Sequence, residues 1–469
     1  MPSAMFKAGY LQTLYSLGSP ALNGLEGSAP IGRSGDTIFA VASGAGRAAV
    51  AILRLTGPAS GAIVKAVAGR LPPPRVATLA TFRDPATGEA IDQGLVIFFQ
   101  GPRSYTGEDS AEFHIHGGRA VVAGLIAAIG SFEGARAAEA GEFSRRALMN
   151  GKLDLGQIEG IGDLVAAETA SQRRQALRQT AGMLGRRAGG WRAALIEASA
   201  RIAADIDFSD EGDVAAAPAL DIAPIIAPVL AELRGELHAA RAGERIREGL
   251  TIVIAGPPNA GKSTLLNALA RRDVAIVSKH AGTTRDVLEV ELDLGGYAAV
   301  LIDTAGLRET TDPVEQIGVS RALERAQNAD LVLWLSELGD FQAPDARLTD
   351  AELWQVATKA DLAPSAQAEA ALCISAASGL NLDVLLDRLA QFAAEAGGAG
   401  HDGVITRERH RKSIAEAESA LARILSDSAP VEIVAEDLRA ALFALERLVG
   451  RVDVEDILGD IFSRFCIGK

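Results

Sequence analysis

The sequence predicts a multidomain α/β protein: an N-terminal α+β unit, a helical domain and, inserted within the helical sequence, a P-loop domain with a mainly parallel sheet. Three observations carry that expectation. The chain has 469 residues, more than one hydrophobic core organises. A glycine-rich loop, Gly256 to Ser263, follows an apolar run and opens a helical one. Helical periodicity flanks the stretch from Leu250 to Gly397 on both sides.

Taken in order, the first 35 residues match no recognisable element and read as a disordered extension or a start called too far upstream, with a targeting peptide the less favoured alternative. From Asp36 strand signals appear: Ile38 and Val41, then Val50, Ile52 and Leu53 before a Gly57–Pro58 turn. Pro72, Pro73 and Pro74 mark a loop, and Leu95–Phe99 and Glu112–His116 read as further strands. Ala120 to Ile129 reads as a buried helix. This unit, 36–150, gives way at 151–248 to helical spacing, as in Leu155, Ile158, Ile161, Leu164 and Val165, with Pro218, Pro224 and Pro228 near one break. Over 249–397 the runs Thr251–Ala255, Ala298–Ile302, Leu331–Leu335 and Ala371–Ile374 read as strands alternating with helices. After the linker Gly397–Gly403 helical texture returns, so 398–469 reads as the second part of the helical domain.

Composition narrows the class. Apolar content of 48% with 23% charged residues suits a soluble globular chain, and 4% aromatics favours helices packed through small residues. Two cysteines, Cys373 and Cys466, build neither a disulfide framework nor a four-cysteine zinc site, so the setting expected is reducing and cytoplasmic. No apolar run reaches the roughly 18–20 residues that cross a bilayer, and no membrane role is expected. The net charge of −14 opposes a protein that grips nucleic acid by overall charge; an RNA substrate needs a local basic patch or a partner.

The loop Gly256-Pro257-Pro258-Asn259-Ala260-Gly261-Lys262-Ser263, continuing into Thr264, has the strand–loop–helix setting of a phosphate cradle. Its N–H groups converge on phosphate oxygens, Lys262 supplies charge near the β/γ phosphates, and Ser263 offers a hydroxyl to Mg²⁺. Asp303-Thr304-Ala305-Gly306 closes a strand downstream, where the aspartate can hold the Mg²⁺ shell and the Gly306 N–H can meet the γ-phosphate. Gly282-Thr283-Thr284-Arg285-Asp286 lies between, with Thr284 a second Mg²⁺ ligand. Thr358-Lys359-Ala360-Asp361 and Ser375-Ala376-Ala377 follow. The Asp361 carboxylate accepts two N–H groups from guanine, a pattern adenine lacks, so the ligand expected is GTP. The usual motif is Asn-Lys-x-Asp, and Thr358 replaces its Asn; guanine preference is expected to persist with weaker affinity, at a cost on the order of 1–2 kcal/mol.

Outside this site, Gly101-Pro102-Arg103-Ser104-Tyr105-Thr106-Gly107-Glu108-Asp109, His116-Gly117-Gly118 and Gly141-Glu142-Phe143-Ser144-Arg145-Arg146-Ala147 are similar to signatures of the MnmE (TrmE) family of tRNA-modifying GTPases. So are Asn150-Gly151-Lys152-Leu153-Asp154-Leu155, Asp205-Ile206-Asp207-Phe208 and the terminal Cys466-Ile467-Gly468-Lys469. The resemblance implies a Ras-like G domain and an N-terminal domain that dimerises and binds a tetrahydrofolate derivative (5,10-methylene or 5-formyl form) through Arg54, Glu112, Lys152 and Lys469. It further implies K⁺-stimulated hydrolysis, with Asn259, Ser278, His280 and Thr283 around the cation and Glu315 positioning water. Lys262 and Arg285 join Glu315 in the catalytic set. A homodimer working with the FAD-dependent partner MnmG (GidA), in a heterotetramer or larger complex, is implied to add carboxymethylaminomethyl at C5 of the tRNA wobble uridine. The rival reading is a GTP-switched ribosome-assembly factor, which needs an RNA-binding domain after the G domain.

Two smaller features are open. His114 and His116 share a strand face, a conceivable metal pair. Arg407, Arg409, Arg411 and Lys412 form a basic run, either an RNA contact or a solvated helix face.

Overall fold

The structure, a computed structural model, describes residues 35–44, 46–208, 222–276, 289–303, 329–340, 343–344, 352–362, 372–398, 403–426, 430–452 and 468. It divides into two compact units, one of residues up to Ile158 together with Gly468, the other from Glu159 to Val452.

In the first unit, β1 (Thr37–Val41), β2 (Ala48–Thr56), α1 (Ser60–Ala68), β3 (Thr78–Arg83), β4 (Ala90–Phe99), β5 (Ser110–Gly117), α2 (Arg119–Gly130), β6 (Ala135–Ala137) and α3 (Glu142–Met149) follow one another. The strands form a sheet in the order β3-β4-β5-β2-β1-β6, antiparallel except for β1 and β6. Strand alternation sorts the side chains: Ala111, Phe113 and Ile115 of β5 are buried, while Glu112, His114 and His116 point to the other face. The apolar face packs with Ile63 and Val64 of α1 and Leu125 and Ile129 of α2. The turn at Gly57 demands glycine: φ is +131°, and a Cβ would lie 2.7 Å from the Asp36 carbonyl oxygen. Strands β3 and β6 are the sheet's edges, held by pairing to β4 and β1, and β3 also buries Phe82 against Phe113 of β5. Gly468 is buried, and a Cβ on it would meet the Val41 carbonyl oxygen at 2.5 Å.

Helix α4 (Leu155–Ala166) runs into the second unit, which continues with α5 (Ala170–Thr180), α6 (Met183–Phe208) and α7 (Ala223–Glu248). The α/β stretch follows: β7 (Leu250–Ala255), α8 (Lys262–Ala270), β8 (Glu289–Leu294), β9 (Tyr297–Asp303), β10 (Leu331–Glu337), β11 (Glu352–Thr358), β12 (Leu372–Cys373) and α9 (Leu382–Ala396). Then come α10 (Glu408–Ser426) and α11 (Val431–Val449). The sheet order is β12-β11-β10-β7-β9-β8, parallel apart from β8. Helices from either side of the α/β stretch share one core, with Trp191, Leu195, Leu230 and Leu233 against Ile414, Leu421, Leu438 and Leu445. Pro228 does not mark a break: it lies inside α7, where Ile226, Val229 and Leu230 are buried around it. As the sixth residue of the helix, past its first turn, it forfeits the one i→i−4 bond that its N–H would have made.

The helices and the α/β sheet meet at the β8–β9 turn. The Ser171 backbone N–H donates to the Gly296 carbonyl at 3.0 Å, and its hydroxyl donates to the same oxygen at 2.5 Å. Gly295 and Gly296 both have positive φ, which lets the turn present that carbonyl.

Candidate nucleotide site and N-terminal cavity

The phosphate loop leaves β7, the strand between β9 and β10, at the carboxyl end of the parallel sheet, where open α/β sheets bind ligands. Gly256 makes this path possible, since a Cβ there would stand 2.2 Å from the Leu335 carbonyl oxygen. Asn259 at φ +63° and Gly261 at φ +89° complete the turn into α8. Lys262 Nζ donates to the carbonyls of Gly256 (2.8 Å) and Pro257 (2.9 Å), drawn over the loop expected to receive phosphate. The Ser263 hydroxyl donates to Asp303 Oδ2 at 2.6 Å, so the two residues assigned to the Mg²⁺ shell are already together. Ala260 is buried and Thr264 exposed on the first turn of α8.

Thr358 does part of what an asparagine does there. Its buried hydroxyl donates to the Ala260 carbonyl at 2.8 Å and stands 3.2 Å from that of Ser336, bracing the phosphate loop from β11. Both oxygens are carbonyls, so the hydroxyl's one proton is committed to the brace. Lys359, at φ +58°, pairs with Glu337 at 2.5 Å, and the Asp361 carboxylate is exposed. The Ala360 N–H donates to the Ile374 carbonyl at 3.1 Å, which sets buried Ser375, with Ala376 and Ala377, beside the segment 358–361 expected to read the base. Ser278, His280, Thr283, Thr284, Arg285, Thr304, Ala305, Gly306 and Glu315 lie outside the described residues, as do Cys466 and Lys469.

The N-terminal unit holds a cavity of about 240 Å³. Arg54 on β2 and Glu112 on β5 are cross-strand partners, and their side chains pair at 2.9 Å on its wall. The Arg54 guanidinium lies 5.7 Å from the Tyr105 ring centroid and 5.9 Å from that of Phe143. Burial pushes the Tyr105 hydroxyl up, against its hydrogen bond with Ser144 and the Arg54 charge. Lys152 does not line the cavity; its exposed side chain rests on Gly107, next to lining residue Thr106. Sequence reasoning did not assign Arg75, Phe99, Tyr105 or Phe143 to this site. Tyr105 and Phe143 sit in the quoted signatures, whereas Arg75 follows a proline loop with no signal of its own.

Glu142, in the Gly-Glu-Phe signature, serves structure. It is buried and receives Arg136 at 2.8 and 2.6 Å, Arg146 at 3.2 Å and the Glu139 N–H at 2.9 Å. Burial works to raise its carboxyl, but the Arg136 hydrogen bonds overcome this and hold it below the usual range.

The smaller features resolve. His116 pairs with Asp92 at 2.9 Å and His114 faces Glu112 at 3.4 Å, and no group of three metal-ligating side chains occurs among the described residues. The basic run is neutralised from within: Arg407 pairs with Asp163 (2.6 Å), Arg409 with Glu159 (2.5 Å), Lys412 with Glu408 (3.1 Å), and Arg411 lies 3.6 Å from Glu244. No helix among the described residues is long and apolar enough to cross a membrane.

Known proteins resemble the chain along nearly all its length. The family model for the GTP-binding protein TrmE N-terminus matches residues 37–152, and that for the MnmE helical domain matches 155–466. The tRNA modification GTPase MnmE of Beijerinckia indica subsp. indica is 59% identical over 434 residues, 92% of this chain and 96% of the relative. The protein of the same name from Rhodopseudomonas palustris is 53% identical over 441 residues, covering 93% of this chain and 99% of its own. Among solved structures, a variant of Aquifex aeolicus Era bound to GDP.AlF4- aligns with 39% of this chain and 69% of its own at 23% identity and a TM-score of 0.25.

Proposed function

The chain belongs to the MnmE family of tRNA modification GTPases, and from that premise we propose how its residues divide the work. GTP is held by the loop 256–263, with the guanine read by Asp361 and bounded by Ser375, Ala376 and Ala377. Lys262 exchanges its two loop carbonyls for β/γ-phosphate oxygens, so charge gathering on the leaving phosphate meets a fixed cation. Ser263, Asp303 and Thr284 hold Mg²⁺, which neutralises phosphate charge. Glu315 orients the attacking water, and Arg285 braces the switch segment. Asn259, Ser278, His280 and Thr283 hold K⁺, whose charge serves where other GTPases use an arginine finger. Thr304, Ala305 and Gly306 follow the γ-phosphate.

The N-terminal cavity takes the bicyclic ring of a tetrahydrofolate. At about 240 Å³ it is a little smaller than the usual ligand pocket and suits a ring system with the tail left outside. Glu112 accepts adjacent N–H groups of the pterin, Arg54 stays paired to Glu112, and Lys152 and Lys469 meet the anionic tail. The folate supplies a one-carbon unit for C5 of the wobble uridine. A homodimer acts with the FAD-dependent MnmG to add the carboxymethylaminomethyl group, and the G domain, 249–397, drives the cycle as an insertion in the helical domain.

The observation that carries this reading is the phosphate loop closed by Lys262, with Ser263 on Asp303 and Thr358 on Ala260. GTP hydrolysis measured in KCl and in NaCl at equal ionic strength tests its least general part. Hydrolysis at least tenfold faster in K⁺ is expected. Equal slow rates in both salts remove the cation from the mechanism and leave a GTP-binding fold.

A further inference from the structure

The net charge of −14 sets a problem for any chain that handles tRNA, because its overall field repels phosphate. The basic run at 407–412 does not solve it, since internal carboxylates neutralise it. One stretch is different. Residues 169–196, which span α5, the Ala181–Gly182 turn and the start of α6, hold six arginines and no aspartate, glutamate or lysine. Acidic residues number 60 in the 469-residue chain, about one in eight, so 28 consecutive residues without one is a marked local exception.

The fold keeps much of this charge outside. Ser171, Gln175, Ala176 and Gln179 form the buried side of α5, which leaves Arg173, Arg174 and Leu177 exposed on the other. Neither Arg173 nor Arg174 has an acidic partner among the described residues. Beyond the turn, Arg186 is exposed and donates to the Ala181 carbonyl at 2.6 Å, which returns its charge towards the end of α5. Arg187 pairs with buried Glu236, so part of its charge is spent internally. Arg173 and Ala181 are eight residues apart, about 12 Å along a helix, so Arg173, Arg174 and Arg186 lie along one short stretch of the fold. Guanidinium groups form forked hydrogen bonds to phosphate oxygens that an ammonium cannot copy.

We propose that the exposed arginine ridge of α5 and the start of α6, centred on Arg173, Arg174 and Arg186, is the surface that takes the phosphodiester backbone of tRNA. The proposal rests on the tRNA reading above and assigns that substrate a place on the chain. The ridge reads charge and spacing, with no base edge, so it supplies affinity and orientation, while choice of tRNA lies elsewhere.

The test measures binding of an unmodified tRNA transcript to the full-length protein across a range of KCl concentrations. In R173A/R174A the affinity should fall on the order of tenfold, and the slope of log K against log salt should flatten by about 1.4 to 1.8 as two phosphate contacts go. R173K/R174K should recover part of both losses, and R439A, which removes an exposed arginine of α11, should change neither. Melting curves check that each variant is folded. Unchanged affinity and slope in folded R173A/R174A overturn the ridge. So does a variant that keeps tRNA but loses an acidic partner protein or anionic phosphatidylglycerol vesicles. Wild-type protein that binds no tRNA at low salt overturns the substrate reading itself, a result distinct from a ridge that fails alone.

Discussion

At the scale of the residue, Thr358 shows that a motif position can keep one duty and lose another. The asparagine usual at this position braces the phosphate loop and also meets the base. The threonine hydroxyl reaches the Ala260 carbonyl at 2.8 Å and has no further proton to give. Thr358→Val keeps the shape and removes the donor, leaving two buried carbonyls without it at about 1–3 kcal/mol. GTP affinity in competition with a fluorescent guanine nucleotide should drop roughly tenfold in that variant, with Thr358→Ser near wild type. Equal affinity in Thr358→Val removes the brace from the account. ATP competing as well as GTP against the wild-type chain would remove the guanine preference assigned to Asp361.

At the scale of the element, one buried cluster fastens α10 to α4 and α11. Glu159 of α4 receives Arg409 and the Nε2–H of His410, while Arg409 also donates to the Leu448 carbonyl. The Thr406 N–H points at His410 Nδ1 from 3.5 Å, which suits a neutral ring. Burial holds the His410 imidazole well below its ordinary value, with Arg409 and Arg407 adding to this and Glu159 opposing it. Glu159 is held far below the usual carboxylate range, since His410 and Arg409 outweigh its burial. The sign follows by linkage. Below about pH 6.5 the unfolded histidine binds a proton that the folded one refuses, so stability falls as pH drops below that value. The Glu159 contribution is present above its unfolded value and is lost only in stronger acid. Thermal unfolding followed from pH 7.5 to 5 should show a decline that His410→Gln flattens; a slope the same in both proteins assigns the acid sensitivity to other groups. Arg407, Arg411, Asp163 and Glu244 surround the same cluster, and burial raises the Asp163 carboxyl against the Arg407 and Arg247 charges.

At the scale of the whole molecule, each unit has its own core, and a ligand that binds only the folded state stabilises the unit that holds it. A GTP analogue with Mg²⁺ at a hundred times its Kd should add about 2.7 kcal/mol to the transition of residues 159–452. In hydrogen exchange, 5-formyltetrahydrofolate should protect β2, β5 and the loop 101–109 of the N-terminal unit, and Glu112→Ala should abolish that protection. Protection that survives the substitution, or that appears only in the second unit, places the folate elsewhere.

How much of this was legible beforehand depends on how local the signal is. The loop 256–263 between a strand and a helix, and the strand ends at Asp303 and Thr358, carry a fixed order of residue types, and these local elements were expected from the sequence alone. The long periodic helices were legible for the same reason, as was the Gly57 turn. Strands β3 and β6 were not, because a short edge strand leans on its neighbours: Phe82 of β3 is buried against Phe113 of β5 only once the sheet has assembled. The fate of the charged side chains was decided only by the tertiary structure. Adjacent arginines at 407–412 and at 173–186 look alike in the chain, yet carboxylates from α4, α7 and α10 meet the first group, while Arg173 and Arg174 face outward. Arg54 and Glu112, 58 residues apart, became partners only when β2 and β5 paired in register. A motif repeats a local geometry that the backbone enforces wherever it occurs. The partner of a charge depends on which distant segments the fold brings within a few ångströms, and no short stretch of sequence contains that information.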